Sequence, residues 1–101
     1  MKSTRKGWRI ELLELNKTTQ FKKDLKRAIK RGLPIHLLDA VILLLREQKP
    51  LDPQYRDHDL IGDYKGFREC HIQSDWLLIY RVDNENLILV ATRTGTHSDL
   101  F

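Results

Sequence analysis

The chain has 101 residues and one cysteine, so it is long enough for one domain and cannot form an internal disulfide. The cysteine and four scattered histidines show no CxxC or HExxH spacing, and we expect neither a metal site nor a cofactor. No segment approaches the ~20 apolar residues of a membrane span, and Glu11 and Glu14 interrupt the stretch that would follow the basic start of a signal peptide. We expect a cytoplasmic protein with no membrane partner.

The net charge of +4 is unevenly distributed along the chain, because seven lysines and arginines fall between positions 17 and 31. A dense basic segment attracts polyanions through counterion release, whatever their sequence. Three interpretations remain open for this segment: a solvated helix face, a surface for ribosomal RNA, or a surface for an acidic protein partner.

The first part of the chain predicts a strand and then a helix. Residues 8–15 combine large apolar side chains with interposed charges, which is typical of a strand. Thr18 or Thr19 can cap the segment that follows. Apolar residues recur there with helical spacing and predict one buried face, formed by Phe21, Leu25, Ala28 and Ile29. Gly32 suits the left-handed residue that ends a helix.

A second helix is predicted next. Pro34 suits its first turn, and Pro50 and Pro53 are expected to end it. Its apolar residues again recur on one face, formed by Leu38, Val41, Ile42 and Leu45.

The second half predicts a loop and a three-stranded meander. Residues 54–66 hold two glycines among charges and are expected to be irregular. Strand-like runs follow over residues 67–73, 76–82 and 87–93, and their short connections force antiparallel hairpins. The predicted fold class is therefore α+β: two N-terminal helices pack on one face of a twisted antiparallel sheet, made of the N-terminal strand and the C-terminal meander, and the other face stays open.

Histidines, an aspartate and an arginine are placed where the ends of the meander can meet. His71 ends one strand, and Asp75 precedes the next. Arg93 ends the last strand, His97 follows it, and His58 lies in the loop before the sheet. RNA carries its own nucleophile, the 2′-hydroxyl, and its cleavage needs a base, an acid and a cation. Imidazole, carboxylate and guanidinium groups supply all three without a metal.

Each of these residues also has an ordinary structural interpretation. A single histidine on a strand is commonly a surface or hydrogen-bonded core residue, Asp75 suits a turn, and Arg93 suits a strand end. Thr96 can cap a short terminal segment, and Leu100 and Phe101 can fill the core. The spacing of these residues along the sequence is therefore not enough to identify a nuclease.

A long gapped motif runs through the second half of the chain: DHxL…G…KGFRExH…DWLLIY…RTGTHSxLF. In this motif the chain resembles the YafQ-type toxins of the RelE/ParE superfamily, closely over residues 50–101 and only in the helix pattern over residues 17–49. Residues 1–8 resemble an N-terminal extension of a single toxin domain that spans residues 1–101. The resemblance implies two helices packed on a twisted antiparallel sheet.

The resemblance also implies a function. It implies the toxin of a type II toxin–antitoxin system, an endoribonuclease that cleaves mRNA on the ribosome, is silenced by a cognate antitoxin and, with it, binds its own promoter DNA. The functional positions of the family motif are occupied here by His58, His71, Asp75, Trp76, Arg93, His97 and Phe101. Lys65 and Arg68 of the same motif are expected to contact the substrate. Ile61, Asp63 and Tyr64 depart from the family pattern, and the negative charge that Asp63 adds near the site leaves substrate preference open.

We expect His97 to protonate the leaving 5′-oxygen and either His71 or Asp75 to take the proton of the 2′-hydroxyl. His58 is expected to orient or share this proton relay. Arg93 is expected to hold the phosphate, because its fork matches two oxygens.

Two aromatic residues complete the expected site. Phe101 is expected to stack on a base, and Trp76 either stacks likewise or belongs to the core. The rival interpretation is a non-enzymatic toxin of the superfamily that binds a target such as DNA gyrase; such toxins lack the His/Asp/Arg set. A plain nucleic-acid-binding module would explain the charge but not the histidines.

Overall fold

In the computed structural model, which describes residues 12–101, three α-helices combine with a five-stranded sheet. The mixed α+β fold predicted from the sequence is confirmed. Two single 3₁₀ turns, Pro53–Tyr55 and Gly62–Tyr64, lie in the long connection before the meander. The strands are β1 Glu14–Lys17, β2 His58–Asp59, β3 Arg68–Gln73, β4 Trp76–Asp83 and β5 Ile88–Gly95, and the helices are α1 Thr19–Lys30, α2 Ile35–Arg46 and α3 His97–Leu100.

The sheet has the strand order β1-β5-β4-β3-β2. Strands β3, β4 and β5 form the predicted antiparallel meander, and β1 pairs with β5 in parallel. The expectation of an irregular connection over residues 54–66 is wrong at one point, because His58 and Asp59 form an edge strand that pairs with Glu69 and Arg68. This pairing joins distant parts of the chain, and a two-residue strand leaves no local alternation to detect.

Among the described residues, strand β1 begins at Glu14, so Leu12 and Leu13 of the predicted strand lie outside it. Leu13 donates its backbone N–H to the carbonyl of Arg46 at 2.9 Å, and strand pairing starts only at Glu14. The strand then continues to Lys17, past the predicted end. The first residues of the predicted strand and the predicted extension lie outside the described residues.

Helix α1 has the predicted start and end, and its predicted apolar face is confirmed for Phe21, Leu25 and Ala28 but not for Ile29. The Thr18 hydroxyl accepts from the N–H of Phe21 at 2.9 Å, and Gly32 follows the helix with φ +75°. Of the predicted apolar face, Ile29 is 56% exposed, whereas Asp24 is only 2% exposed. Asp24 takes a buried position because the structure around it supplies hydrogen-bond donors, as described below for the site.

Helix α2 buries the predicted apolar face, since Leu38, Val41, Ile42 and Leu45 all lie in the core. The expectation that prolines end this helix is wrong. It ends at Arg46, and Gln48 turns the chain with φ +59° before Pro50 is reached.

Apolar clusters lie on both faces of the sheet, because alternate residues of β4 belong to different clusters. Leu78 and Tyr80 belong to the core shared with α1 and α2. Leu77 and Ile79 pack with Leu100 of α3. The face expected to stay open is therefore partly covered by α3, and by a loop that contributes Leu60, Tyr64 and Phe67. Within the described residues, no helix is long and apolar enough to cross a membrane.

Candidate active site

The β3–β4 turn and the start of α3 lie next to each other at one end of the sheet. The turn consists of Ser74, with φ +42°, and Asp75. Leu77 pairs with Gly95, so the end of β5 and the chain that follows it lie beside this turn. The hairpin register therefore brings His97 to Asp75, as the sequence spacing suggested.

The side chain of Asp75 binds both the backbone and the imidazole of His97. Oδ1 of Asp75 accepts from the backbone N–H of His97 at 3.1 Å and from Nδ1–H of the imidazole at 2.7 Å. The bond from the imidazole, and then that from the backbone, lower the pKa of Asp75 below its ordinary value. The carboxylate thus stays ionised and fixes the His97 ring with Nε2 directed away from it.

His71 lies beside His97 on the same surface. The two ring centroids are 6.0 Å apart, with the planes inclined by 58°. Nδ1–H of His71 donates to the Ser74 carbonyl at 3.2 Å, so Nε2 of the neutral ring carries the lone pair. The two histidines are therefore neighbours whose rings are held by different acceptors.

Helix α3 is fixed by its own cap and by α1. The Thr96 hydroxyl accepts from the N–H of Asp99, and Asp99 accepts from the N–H of Thr96. Asp99 also binds Arg31 of α1 at 2.7 Å, which is the main reason that the pKa of Asp99 lies well below its ordinary value. A Cβ at Gly95 would lie 2.9 Å from Cβ of Asp99, so this close approach requires glycine.

Arg93 is held by a buried carboxylate. Its Nε and Nη2 donate to Asp24 at 2.8 and 3.2 Å, and Asp24 also accepts from the N–H of Thr94 at 3.1 Å. Burial opposes ionisation of Asp24, but the hydrogen bonds from Arg93, Gln20 and Thr94 outweigh it and lower the pKa of Asp24. The expectation that the whole fork of Arg93 grips a phosphate needs correction, because Asp24 occupies two of its nitrogens.

Phe101 extends the surface beyond the histidines. Phe101 is 61% exposed, and the centroid of its ring lies 6.1 Å from that of His97 and 5.6 Å from that of Tyr64. The predicted alternative that Phe101 fills the core is thus wrong, whereas Leu100 is indeed buried.

His58 lies on the same face as His71 but at a distance along the sheet. It pairs with Glu69, which precedes His71 by two residues and so points to the same side. Its Nδ1–H donates to the carbonyl of Arg56 at 2.6 Å, and Nε2 lies 3.4 Å from Oε1 of Glu69. Within residues 12–101, no hydrogen bond or ring contact joins His58 directly to the two central histidines.

Two residues expected to bind substrate lie elsewhere. Trp76 is 3% exposed in the helix-side core and donates from Nε1 to the Thr94 hydroxyl, so it belongs to the core and cannot stack on a base. Arg68 lies on the opposite face of β3 from His71 and binds Asp57 at 2.7 Å. Lys65 is exposed in the loop before β3 and stays a predicted contact.

Sequence reasoning missed three residues at this surface: Asp24, Glu69 and Tyr64. An acidic residue at an apolar position of α1 was the available signal for Asp24. Glu69 stood inside the quoted motif, and Tyr64 in the loop before it, but neither has a spacing that reveals its contacts. The single cysteine, Cys70, is no nucleophile, because burial raises the pKa of its thiol to about 12.

Comparison with known proteins identifies the family of the chain. The sequence profile described as "Bacterial toxin of type II toxin-antitoxin system, YafQ" matches residues 13–101. The chain belongs to the YafQ toxin family. The mRNA interferase toxin YafQ of Escherichia coli is 41% identical over 83 residues, which cover 81% of this chain and 88% of that protein. The resemblance found in the motif is confirmed.

Solved structures of YafQ-type and related toxins share the fold. A metal-bound toxin from Helicobacter pylori superposes with a TM-score of 0.84 at 41% identity, over 89% of this chain and 100% of that chain. A chain of the E. coli DinJ–YafQ toxin–antitoxin complex superposes with a TM-score of 0.80 at 37% identity, over 89% and 98% of the two chains. In residues 12–101 of this YafQ-family chain, no group of three or more His, Cys, Asp or Glu side chains is placed to hold a metal ion.

Proposed function

We propose that this YafQ-family toxin is an endoribonuclease that cleaves mRNA by proton transfer between two histidines. The observation that carries the proposal is the placement of the His71 and His97 rings 6.0 Å apart, with Asp75 bound to His97. Family membership supports it, since the E. coli relative is named an mRNA interferase.

In this proposal His71 is the base and His97 the acid. Nε2 of His71 has the lone pair needed to take the 2′-hydroxyl proton. Oδ1 of Asp75 is already engaged by two donors of His97, so its role is to orient that ring and to stabilise the imidazolium that protonates the 5′-oxygen. This geometry favours His71 over Asp75 as base, the alternative that the sequence left open.

The remaining groups bind the substrate around this pair. Nη1 of Arg93, the terminal nitrogen not bonded to Asp24, brings positive charge for the phosphorane-like transition state. Phe101 presents an exposed ring on which a base can stack. Lys65 adds a cation from the loop, and His58 with its acidic neighbour extends the polar surface.

The proposed mechanism assigns no step to a metal, since imidazoles and a guanidinium supply the base, the acid and the cation. Attack by the 2′-hydroxyl leaves a 2′,3′-cyclic phosphate on one fragment, which water can then open to a 3′-phosphate, and a 5′-hydroxyl on the other. These ends differ from those left by attack of water on the phosphate with release of the 3′-oxygen, which are a 5′-phosphate and a 3′-hydroxyl.

The proposal includes three macromolecular partners and a cytoplasmic location. The E. coli complex shows a relative assembled with its antitoxin, and we expect a cognate antitoxin here, the pair binding its own promoter DNA. We also expect cleavage to take place on ribosome-bound mRNA. Exposed lysines on α1 give these anionic partners a basic surface, formed by Lys22, Lys23, Lys26 and Lys30.

Induced expression of three proteins tests the function. The wild type should arrest growth and leave discrete new mRNA 5′ ends in primer extension. His97→Ala should lower cleavage by about 10²–10⁴-fold because the acid is lost. His36→Ala, on the exposed side of α2, is the matched control and should cleave like the wild type.

Two results would overturn the proposal. Full cleavage by a folded His97→Ala protein would remove the acid assignment. Growth arrest by the wild type without new 5′ ends would show a non-enzymatic toxin of the kind that binds a target such as DNA gyrase.

A further inference from the structure

A tyrosine outside the family motif lies at the edge of the candidate active site. Tyr64 ends the 3₁₀ turn Gly62–Tyr64, in the loop that departs from the family pattern. Its half-buried ring meets Phe67 edge-on at 5.9 Å and Phe101 at 5.6 Å, with interplanar angles of 89° and 74°. Tyr64 packs with the cluster on the α3 face and not with the helix-side core.

The ring contacts continue from Tyr64 to the histidines. Phe101 lies 6.1 Å from His97, and His97 lies 6.0 Å from His71. We call these four side chains, Tyr64, Phe101, His97 and His71, the aromatic row. The proton-transfer pair stands at one end of this row and Tyr64 at the other. A phosphate placed between the two histidines therefore puts a neighbouring base near the exposed ring of Phe101, with Tyr64 beside that ring.

The hydroxyl of Tyr64 lies within hydrogen-bonding reach of Arg93. Hydrogen bonding to Asp24 is the main cause of the raised pKa of Arg93, and a hydrogen bond with Tyr64 contributes further. Tyr64 thus lies between an exposed phenyl ring and a guanidinium. A phenol can donate and accept a hydrogen bond, which Phe101 cannot.

We infer that Tyr64 is a specificity-determining residue that, together with Phe101, forms the binding site for a base next to the cleaved phosphodiester. Aromatic faces stack on every base, so Phe101 alone gives affinity without selection. A hydroxyl at the edge of the stacked base adds the hydrogen bonding by which proteins distinguish unstacked RNA bases. The inference rests on the proposed ribonuclease activity and names how that activity selects its sequence.

The test uses purified full-length toxin and ribosomes programmed with short mRNAs that differ only in the bases flanking the cleavage site. Single-turnover rates and 5′-end positions are measured for the wild type, Tyr64→Ala, Tyr64→Phe and Ile61→Ala. Ile61 is the matched control, because it lies in the same loop and is 88% exposed.

Tyr64→Ala should lower the rate on the preferred sequence by about tenfold or more and reduce the differences between sequences. Tyr64→Phe keeps the ring and should cleave the preferred sequence nearly as fast, with an altered ranking of the others. Ile61→Ala should retain both the rate and the ranking of the wild type.

A folded Tyr64→Ala protein with wild-type rate and ranking overturns the inference. If thermal melting shows Tyr64→Ala to be unfolded, Tyr64→Phe decides, and an unchanged ranking overturns it equally. These outcomes leave the proposed function intact, because the wild type still cleaves. A wild type that leaves no new 5′ ends refutes the proposed function and this inference with it.

Discussion

Two neighbouring histidines differ in the acceptor that each one binds. His97 donates from Nδ1 to the Asp75 carboxylate, and His71 donates from Nδ1 to the Ser74 carbonyl. A carboxylate stabilises an imidazolium, whereas a neutral carbonyl fixes a neutral tautomer. The difference in acceptor is the physical reason for assigning the acid to one ring and the base to the other.

Asp75→Asn tests this assignment. The amide can present its NH₂ group to Nδ1, which misorients or neutralises the acid, and we expect the single-turnover rate to fall by about 10²–10⁴-fold with little change in melting temperature. Asp83→Asn is the control: Asp83 accepts from Glu85 and Asn86 in the other hairpin turn, away from the histidines. An Asp75→Asn protein as fast as the wild type contradicts the role given to the carboxylate.

At the level of single residues, the sequence identified the histidines by their side-chain chemistry. It did not assign residues such as Trp76, whose role depends on where the fold places them. Histidines at strand ends indicated the site, because hairpin geometry can bring such ends together. Trp76 could not be assigned, since a tryptophan in a motif serves stacking or core equally well. Its burial depends on the pleat of β4, where it shares a face with Leu78 and Tyr80.

At the scale of elements, α1 and β5 are joined by one carboxylate. Among the described residues, no strand pairs with this edge of β5 beyond Ala91, and Asp24 accepts the N–H of Thr94 there. The same carboxylate orients Arg93. Helix α1 therefore both caps the sheet edge and positions the cation of the proposed site.

Asp24→Asn should lower the free energy of unfolding by about 2–4 kcal/mol at pH 7, because the ion pair between this buried carboxylate and Arg93 is lost. Folding lowers the pKa of Asp24, so the ionised carboxylate stabilises the folded state at pH values above its unfolded pKa of about 3.9. This stabilisation is lost as pH falls through the folded pKa. In urea unfolding measured from pH 7 to 3, the difference in the free energy of unfolding between Asp24→Asn and the wild type should shrink below about pH 4.

Asp39→Asn, at an exposed position of α2, is the control and should melt like the wild type throughout. A constant difference between Asp24→Asn and wild type at all pH values contradicts the ionised, arginine-bound state of Asp24.

Element boundaries were predictable where a local signal exists. Thr18 and Gly32 bound α1 because a hydroxyl cap and a left-handed residue act within a few positions. Strand β2 and the burial of Asp24 depend on pairing partners far along the chain, and no local pattern encodes them. The position of Leu13 outside β1 has the same cause, since its backbone N–H bonds to the end of α2.

At the scale of the whole molecule, helix α1 and the C-terminal helix α3 meet beside the site. Arg27 of α1 approaches both Asp24 and Asp99, at 3.1 and 3.9 Å, and Arg31 binds Asp99 directly. These ion pairs hold α3, and with it His97, against a helix that lies more than half the chain away in sequence. The family motif of the second half therefore depends on the first half for its geometry.

The chemistry of the cleaved ends tests the central claim most directly. Mass spectrometry of RNA fragments from a single round of cleavage by the purified wild type should show a 2′,3′-cyclic phosphate or 3′-phosphate and a 5′-hydroxyl, because the histidine pair acts on the 2′-hydroxyl. A 3′-hydroxyl paired with a 5′-phosphate would contradict the account, because those ends require water, and not the ribose, as nucleophile.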